Sequence, residues 1–395
     1  MPEKFVYADN AATTRVSQLV LDAMLPYFGE EYGNPSSLHS KGREASAALG
    51  DARARIAKLL GAKESEIYFT ASGSEADNWA VKGAAYANRD RGRHIVSTKI
   101  EHHAVLNSLK ALEREGFEVT LVDVDQGGRV SPEAVANAVR EDTVLVSVMT
   151  ANNEVGTIEP IAEISAAVKQ KNRKTLIFTD AVQAAGTLRL DVRELGVDML
   201  SLSGHKLHAP KGVGALYIRN GIRVSNLIDG GGQERSRRGG TENLPYIIGL
   251  AKALEDAVAG IDENVRVSAM RDRLIDGILD KIPYTRLNGA REQRLPGNVN
   301  ISFDYIEGES LLLWLDMNGI CASTGSACSS ASLEASHVLL ALGVPVESAH
   351  GSLRLSLGRD NTDDDVDYIL QVLPGIVERL RNMSPLYEKV NGSKI

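Results

Sequence analysis

The stretch Met199–Ile218, "MLSLSGHKLHAPKGVGALYI", decides how the chain reads. It opens and closes on short runs without a charge, "MLSLS" (199–203) and "GALYI" (214–218). Between them stands a Gly/Pro-containing loop that carries Lys206. Short runs rich in Val, Ile, Leu and Thr, mostly without polar alternation, are the pattern of strands covered on both faces. The pattern recurs upstream in "EIYFT" (66–70), "HIVST" (94–98), "EVTLVDV" (118–124), "TVLVSVM" (143–149) and "TLIFTD" (175–180). Amphipathic helical segments separate several of these runs. One is "SPEAVANAVRED", with Ser131 as N-cap and Pro132 at the first helical position; another is "IAEISAAVKQKN". Strands alternating with helices predict βαβ units, hence an α/β fold with a mainly parallel sheet flanked by helices.

Beyond about residue 260 the texture changes. A long charged helical pattern leads to "NVNISFDYI", "ESLLLWLDMNG", "SLRLSLG" and a terminal helix opened by a Thr362-x-x-Asp365 capping pattern. This predicts a large domain over 16–260 and a smaller α+β C-terminal domain over 261–395, joined by the N-terminal segment 1–15. A chain of 395 residues is long enough for that division.

Composition excludes several functions. The net charge is −8, from 44 basic and 52 acidic residues, so no direct nucleic-acid partner is expected. The basic cluster "ERSRR" (234–238) is a local exception. Two cysteines cannot build a disulfide framework, and the eight scattered histidines lack zinc-ligand spacing around either, so no metal is expected. The N-terminal "MPEKFVYADNAATT" has no apolar signal core, and no run of about 18 apolar residues suggests a membrane span. The expectation is a cytoplasmic protein with free thiols and no membrane partner.

Ligands of a parallel sheet bind at the carboxyl ends of its strands, so the residues after each run matter most. After "EIYFT" come Gly73 and Ser74 at a strand-to-helix turn, where Ser74-x-x-Asp77 reads as a capping box and backbone N–H groups can take an anion. Taken alone, an ordinary capped helix is the simpler reading. After "HIVST" come His102 and His103, either of which can stack on a flat ligand or move protons, or simply open a surface helix. Asn152 and Asn153 follow "TVLVSVM" as turn residues or ligand donors. Asp180 ends an apolar strand, where a carboxylate needs a partner: a cationic ring nitrogen, an arginine or a helix N-terminus. Lys206, flanked by Ser203 and His205, follows a fully apolar run; desolvation there favours the neutral amine that forms Schiff bases.

No single one of these is decisive, but their combination is. Pyridoxal phosphate wants N–H donors for its phosphate, a carboxylate for its ring nitrogen, a lysine for its aldehyde and something flat over its ring. A dinucleotide fold fails, because no strand is followed by G-x-G-x-x-G.

Over nearly its whole length the chain resembles the NifS/IscS type of cysteine desulfurase, in the class V aminotransferase group. The resemblance rests on "YADNAATT", "GNPSSLHS", "IEHHAVL", "ANNEVGT", "TDAVQAAG", "SGHKLHAPKGVGALY", "GGGQERSRRGGTEN", "GSACSSASLEASHVLLALG" and "LRLSLGR". It implies a fold type I homodimer with pyridoxal 5'-phosphate held by Lys206. It further implies Asp180 at the ring nitrogen, Gln183 at the ring hydroxyl and His102, not His103, stacked on the ring. Gly73, Ser74, Ser203 and His205 would hold the phosphate, and Thr241 would reach the phosphate of a partner subunit. Asn153 would face cofactor and substrate, and Arg354, helped by Asn34, would take the substrate carboxylate. Two departures, "ASGSE" at the phosphate turn and "SSAS" after Cys328, keep the functional groups.

The implied reaction takes L-cysteine to L-alanine, with the Cys328 thiolate taking the substrate sulfur as a persulfide. Cys328 sits in "ASTGSACSSAS" (322–332), a run of small residues that gives a sulfur carrier room to swing. Cys321 is expected to be the inert, buried thiol. The sulfur would pass to an acceptor protein, such as an iron–sulfur scaffold, with Cys328 available to ligate a cluster jointly with it. A selenocysteine lyase on the same scaffold, a plain aminotransferase and a sulfur-delivery scaffold without turnover are the alternatives. The catalytic set and Cys328 together favour the desulfurase.

Overall fold

The computed structural model describes residues 4–324 and 335–391. Cys328 lies outside the described residues. In chain order the strands are β1 (Val6–Tyr7), β2 (Ile67–Thr70), β3 (His94–Thr98), β4 (Glu118–Val122), β5 (Thr143–Ser147), β6 (Leu176–Asp180), β7 (Met199–Ser203) and β8 (Gly214–Ile218). They continue with β9 (Thr285–Leu287), β10 (Asn298–Phe303), β11 (Ile320–Cys321) and β12 (Ser352–Ser356).

Seven strands form one sheet in the order β2-β8-β7-β6-β5-β3-β4. Pairing is parallel from β4 through to β7, and β8 runs antiparallel to both of its neighbours. This is the mainly parallel, helix-flanked sheet expected of the sequence. Strands β3, β5, β6, β7 and β8 are buried at every position, which explains why apolar residues dominate them and why, apart from Asp180 and His94, their polar residues are only Ser and Thr. β4 lies at the edge, and of its five residues only Val122 is buried.

Helices cover both faces. On one side the helix Gly73–Asn88 puts Ala76, Trp79, Ala80 and Ala84 against Leu145, Phe178, Met199 and Leu216. On the other, Ser40–Leu59 and Leu244–Ala259 pack with Ile67, Val146, Ile177 and Leu200. Sequence order reverses at the sheet's middle: β4 follows β3 outward, whereas β5 returns to its other side. Such a reversal parts the loops at the strand ends and leaves a crevice there.

A three-stranded antiparallel sheet, β12-β10-β9, has its own apolar cluster with the helices Asn264–Lys281 and Asp363–Asn382. Thr362 caps the second helix in a capping box with Asp365, as the sequence pattern predicts. β1 pairs in parallel with β11, and Val6 and Ala8 join this cluster. The chain's start is thereby fixed across from β12, with Asp9 bridging to Ser356.

Candidate active site

The loops at the carboxyl ends of β3, β5, β6 and β7 surround a cavity of about 370 Å³, and Arg354 on β12 lines it from the second sheet. Each wall follows from local sequence.

The helix after β2 begins at Gly73, and Ser72 is its N-cap, with Oγ accepting from Glu75 N–H. The Glu75 carboxylate in turn accepts from Ala71 N–H. The helix is therefore capped by Ser72, with Glu75 reaching back one residue further to Ala71, and not by the expected Ser74-x-x-Asp77 box. Ser74 falls in the first turn, and Asp77 is drawn inward, where its carboxyl meets the Ser201 hydroxyl. Gly73 and Ser74 line the cavity with N–H groups that precede the first intrahelical bonds, a site suited to an anion. A Cβ on Gly73 would come within 2.8 Å of Val182 Cγ2 and 3.1 Å of Ser203 Cβ, so the close helix–strand approach needs glycine.

His102 caps the next helix, its Nδ1 accepting from Ala104 N–H at 3.1 Å. The neutral ring then carries its proton on Nε2. Burial lowers its pKa, with Asp180 opposing and Lys206 and His103 adding to the fall. Of the asparagine pair, Asn152 makes the turn: its amide donates to Ile100 O, and its Oδ1 accepts from Glu154 and Val155 N–H. Asn153 is left on the cavity.

Asp180 is 5% exposed and accepts from Val182 N–H at 2.9 Å. Burial raises its pKa, and His102, that N–H and Lys206 pull the other way. Ser203 and His205 line the same wall. Burial and two nearby lysines push His205 down to about 4, which keeps it neutral near pH 7. Lys206 ends the short turn Gly204–Lys206, and its Nζ donates to Ala11 O at 2.5 Å and Ala12 O at 2.8 Å. Gln183 donates to the same Ala11 carbonyl at 3.1 Å.

Arg354 is 2% exposed. Its guanidinium donates to Asp9 Oδ1 and to Asn153 O, both at 3.0 Å, while its buried Nε meets no acceptor among the described residues. A preset, nearly dry guanidinium is suited to a carboxylate.

Among the expected site residues, Lys206, Asp180, His102, Gly73, Ser74, Asn153, Gln183, Ser203, His205 and Arg354 share this one cavity. Thr241 and Asn34 do not line it. Thr241 is exposed beside a smaller cavity with Arg238, and Asn34 is exposed, its Oδ1 accepting from Ser36 N–H. Cys328 is outside the described residues. Cys321 is half-buried rather than buried; burial, Asp316 and Asp9 raise its pKa. Sequence reasoning missed Asp77, Glu154 and His337 on the cavity wall, and the Ala11–Ala12 backbone; His103, one of two candidates at its strand end, lines the cavity as well. The spacing of Asp77, one helical turn beyond Gly73, was a usable signal.

Acids collect behind the wall. Asp77 is buried, and burial with the neighbouring Asp180 raises its pKa well above the usual carboxylate range. Glu101 accepts from Thr98 Oγ1 and Met149 N–H and is pushed up to about 8 by burial. The cavity can neutralise one cationic ring, anchor an anionic group at the helix start and present an amine between them. Those are the demands of pyridoxal phosphate, and the donors present fit it.

The Aminotransferase class-V family model matches residues 6–369. The chain is 58% identical to a cysteine desulfurase IscS of Methanosarcina thermophila, over 98% of this chain and 95% of that protein. It is 56% identical to a cysteine desulfurase IscS of Clostridium botulinum, over 98% and 97%. Among solved structures it resembles a NifS-like protein, with TM-score 0.90, 42% identity, and coverage of 95% of this chain and 100% of that one. It also resembles SspA in complex with cysteine, with TM-score 0.79, 35% identity, and coverage of 89% and 98%.

Proposed function

Because the chain belongs to the class-V aminotransferase family and, within it, to the pyridoxal-phosphate cysteine desulfurases, we propose that it takes sulfur from L-cysteine onto Cys328 and leaves L-alanine. The observation that carries this is the meeting of Lys206, Asp180, His102 and the Gly73 helix start around one cavity lined also by Arg354. When bound, pyridoxal phosphate supplies an aldehyde for amines and an electron sink that makes the substrate Cα acidic.

The chain's own residues do the rest. Lys206 would hold the cofactor through its amine, and that amine would be the base for the substrate Cα proton. Asp180 would keep a proton on the ring nitrogen, and Gln183 would hold the ring hydroxyl. Gly73, Ser74, Ser203 and neutral His205 hold the phosphate. Arg354, set by Asp9, takes the substrate carboxylate, with Asn153 beside it. His102 would cover the ring and handle the thiol proton at Nε2. The Cys328 thiolate attacks the substrate sulfur, the carbon–sulfur bond breaks, and protonation of the remaining carbon skeleton gives alanine.

A homodimer is part of the proposal, with Thr241 reaching a partner's phosphate site and Asn34 helping at the carboxylate. Leu19, Leu25, Phe28, Tyr32 and Leu38 are exposed within residues 18–40, apolar surface that a second copy would cover. We assign residues 16–260 to the cofactor domain and 261–395, with 1–15, to the smaller one. Sulfur passes to an acceptor protein, an iron–sulfur scaffold being the favoured recipient, with Cys328 able to join it in ligating a cluster. The cytoplasm is the expected compartment; no helix among the described residues is long and apolar enough to cross a membrane.

The test is direct. Purified protein loaded with pyridoxal phosphate should absorb visible light, release alanine and sulfide from L-cysteine in the presence of a reductant, and sediment as a dimer. A colourless protein that takes up no cofactor overturns the reading.

A further inference from the structure

His337 is not used by the chemistry above, yet it lines the same cavity. It is the first residue of the short helix His337–Ala341. Its Nε2 lies 3.0 Å from the carbonyl oxygen of Glu101 and, facing a carbonyl, must donate. Its ring packs on His103 with centroids 4.7 Å apart. Glu101 and His103 are the residues on either side of His102.

The neighbouring residue reinforces the grip. The Ser336 hydroxyl donates to the Glu154 carboxylate, next to Asn153. Val338 and Leu339 pack into an apolar cluster with Ile100, Met149 and Val155. The segment is thus anchored on the two turns that carry His102 and Asn153.

We propose that His337 is a positioning residue for His102: by holding the backbone before it and the ring after it, His337 sets the angle at which His102 covers the cofactor. A side chain held at both of its neighbours has little freedom to tilt, and a small tilt of a stacking or proton-handling group is costly in rate. The inference rests on the reading of His102 given above.

The test uses the holoenzyme. Visible circular dichroism reports how asymmetrically the cofactor ring is covered. His102→Gln and His337→Ala are expected to alter the same visible band. His337→Ala should lower kcat for L-cysteine about tenfold while KM stays within about twofold. His337→Gln, whose amide N–H can reach the Glu101 carbonyl, should recover both the band and most of the rate. The double variant His102→Gln/His337→Ala should be no slower than His102→Gln alone, because one residue acts through the other.

A wild-type band and rate in His337→Ala, or losses that multiply in the double variant, overturn the role of His337 and leave the proposed function standing. A wild-type band and rate in His102→Gln overturn the assignment of His102 and this inference with it. Should His337→Ala fail to fold, the 15N resonances of the histidines in the wild-type protein decide. A proton on His337 Nε2 is expected, and one on Nδ1 alone overturns the proposal.

Discussion

Lys206 Nζ donates to the carbonyl oxygen of Ala11 at 2.5 Å, across 195 positions of sequence. The segment that begins the chain is therefore a wall of the active-site cavity. It is held there by β1 on β11 and by Thr14, whose hydroxyl donates to His205 O. Two carbonyls stand ready for the amine whenever it is not bound to cofactor.

Lys206→Ala should fold, since the Ala11 and Ala12 carbonyls it bonds are only half-buried, but it should lack the visible absorbance of the lysine-bound cofactor. Alanine formation should fall by about a thousandfold or more, the scale expected on losing a covalent group that is also the base. Turnover within tenfold of wild type would remove Lys206 from the mechanism.

The two cysteines should separate cleanly. Burial and two carboxylates disfavour the Cys321 thiolate, so Cys321→Ser should keep wild-type sulfide release. Cys328→Ala should still bind L-cysteine, seen as a change in the cofactor spectrum, and release no sulfide. Sulfide at the wild-type rate from Cys328→Ala would assign sulfur transfer elsewhere.

Asp9 aligns Arg354 through a 3.0 Å hydrogen bond. Asp9→Asn keeps the shape and loses the charge assistance. It should raise KM for L-cysteine about tenfold with a smaller change in kcat, as for a loosened guanidinium fork. Steady-state kinetics would show it; an unchanged KM means that Arg354 needs no such support.

Gly73→Ala should fold yet hold its cofactor less tightly. The added methyl meets Val182 and Ser203 and pushes the helix start away from the β7 loop. Dialysis of the loaded protein should show loss of cofactor about tenfold faster than wild type. Equal retention would mean that the helix start shifts freely.

Glu159 gives a pH test away from the reaction. It is buried, accepts from Val130 N–H, and burial pushes it up to about 8 from 4.5. Between those two values the folded chain binds the proton that the unfolded chain has released, so this group's contribution to stability falls as pH rises and levels off above about 8. Glu159→Gln should match wild type near the lower limit and melt a few degrees higher than wild type at alkaline pH. Parallel melting curves across the range would show that Glu159 ionises at little cost.

Overlapping signals show where sequence reading stops. Ser72-x-x-Glu75 and Ser74-x-x-Asp77 both satisfy the capping pattern, and local chemistry does not choose between them. The choice falls to Ser201 on β7, which takes the Asp77 carboxyl inside. Likewise "HH" at 102–103 leaves two candidates at the strand end. The fold puts both on the cavity and gives them different duties, His102 capping its helix and His103 packing on His337. Asn152 and Asn153 divide in the same way, one into the turn and one onto the cavity.

The sequence by itself determined the parallel α/β frame, because strands buried on both faces must be mainly apolar, with no charged alternate face. It also determined the chemical set, because Asp180 ends such a strand and Lys206 and the Gly73 turn follow one closely. Only the tertiary structure decided which distant segments complete the cavity: Ala11 and Ala12, Asp9 with Arg354, Asp77 with Ser201, and His337 with Glu101. Those contacts join residues far apart in the chain. Periodicity and capping act over a few residues, whereas such pairs arise only when separate apolar clusters pack and carry their polar edges together.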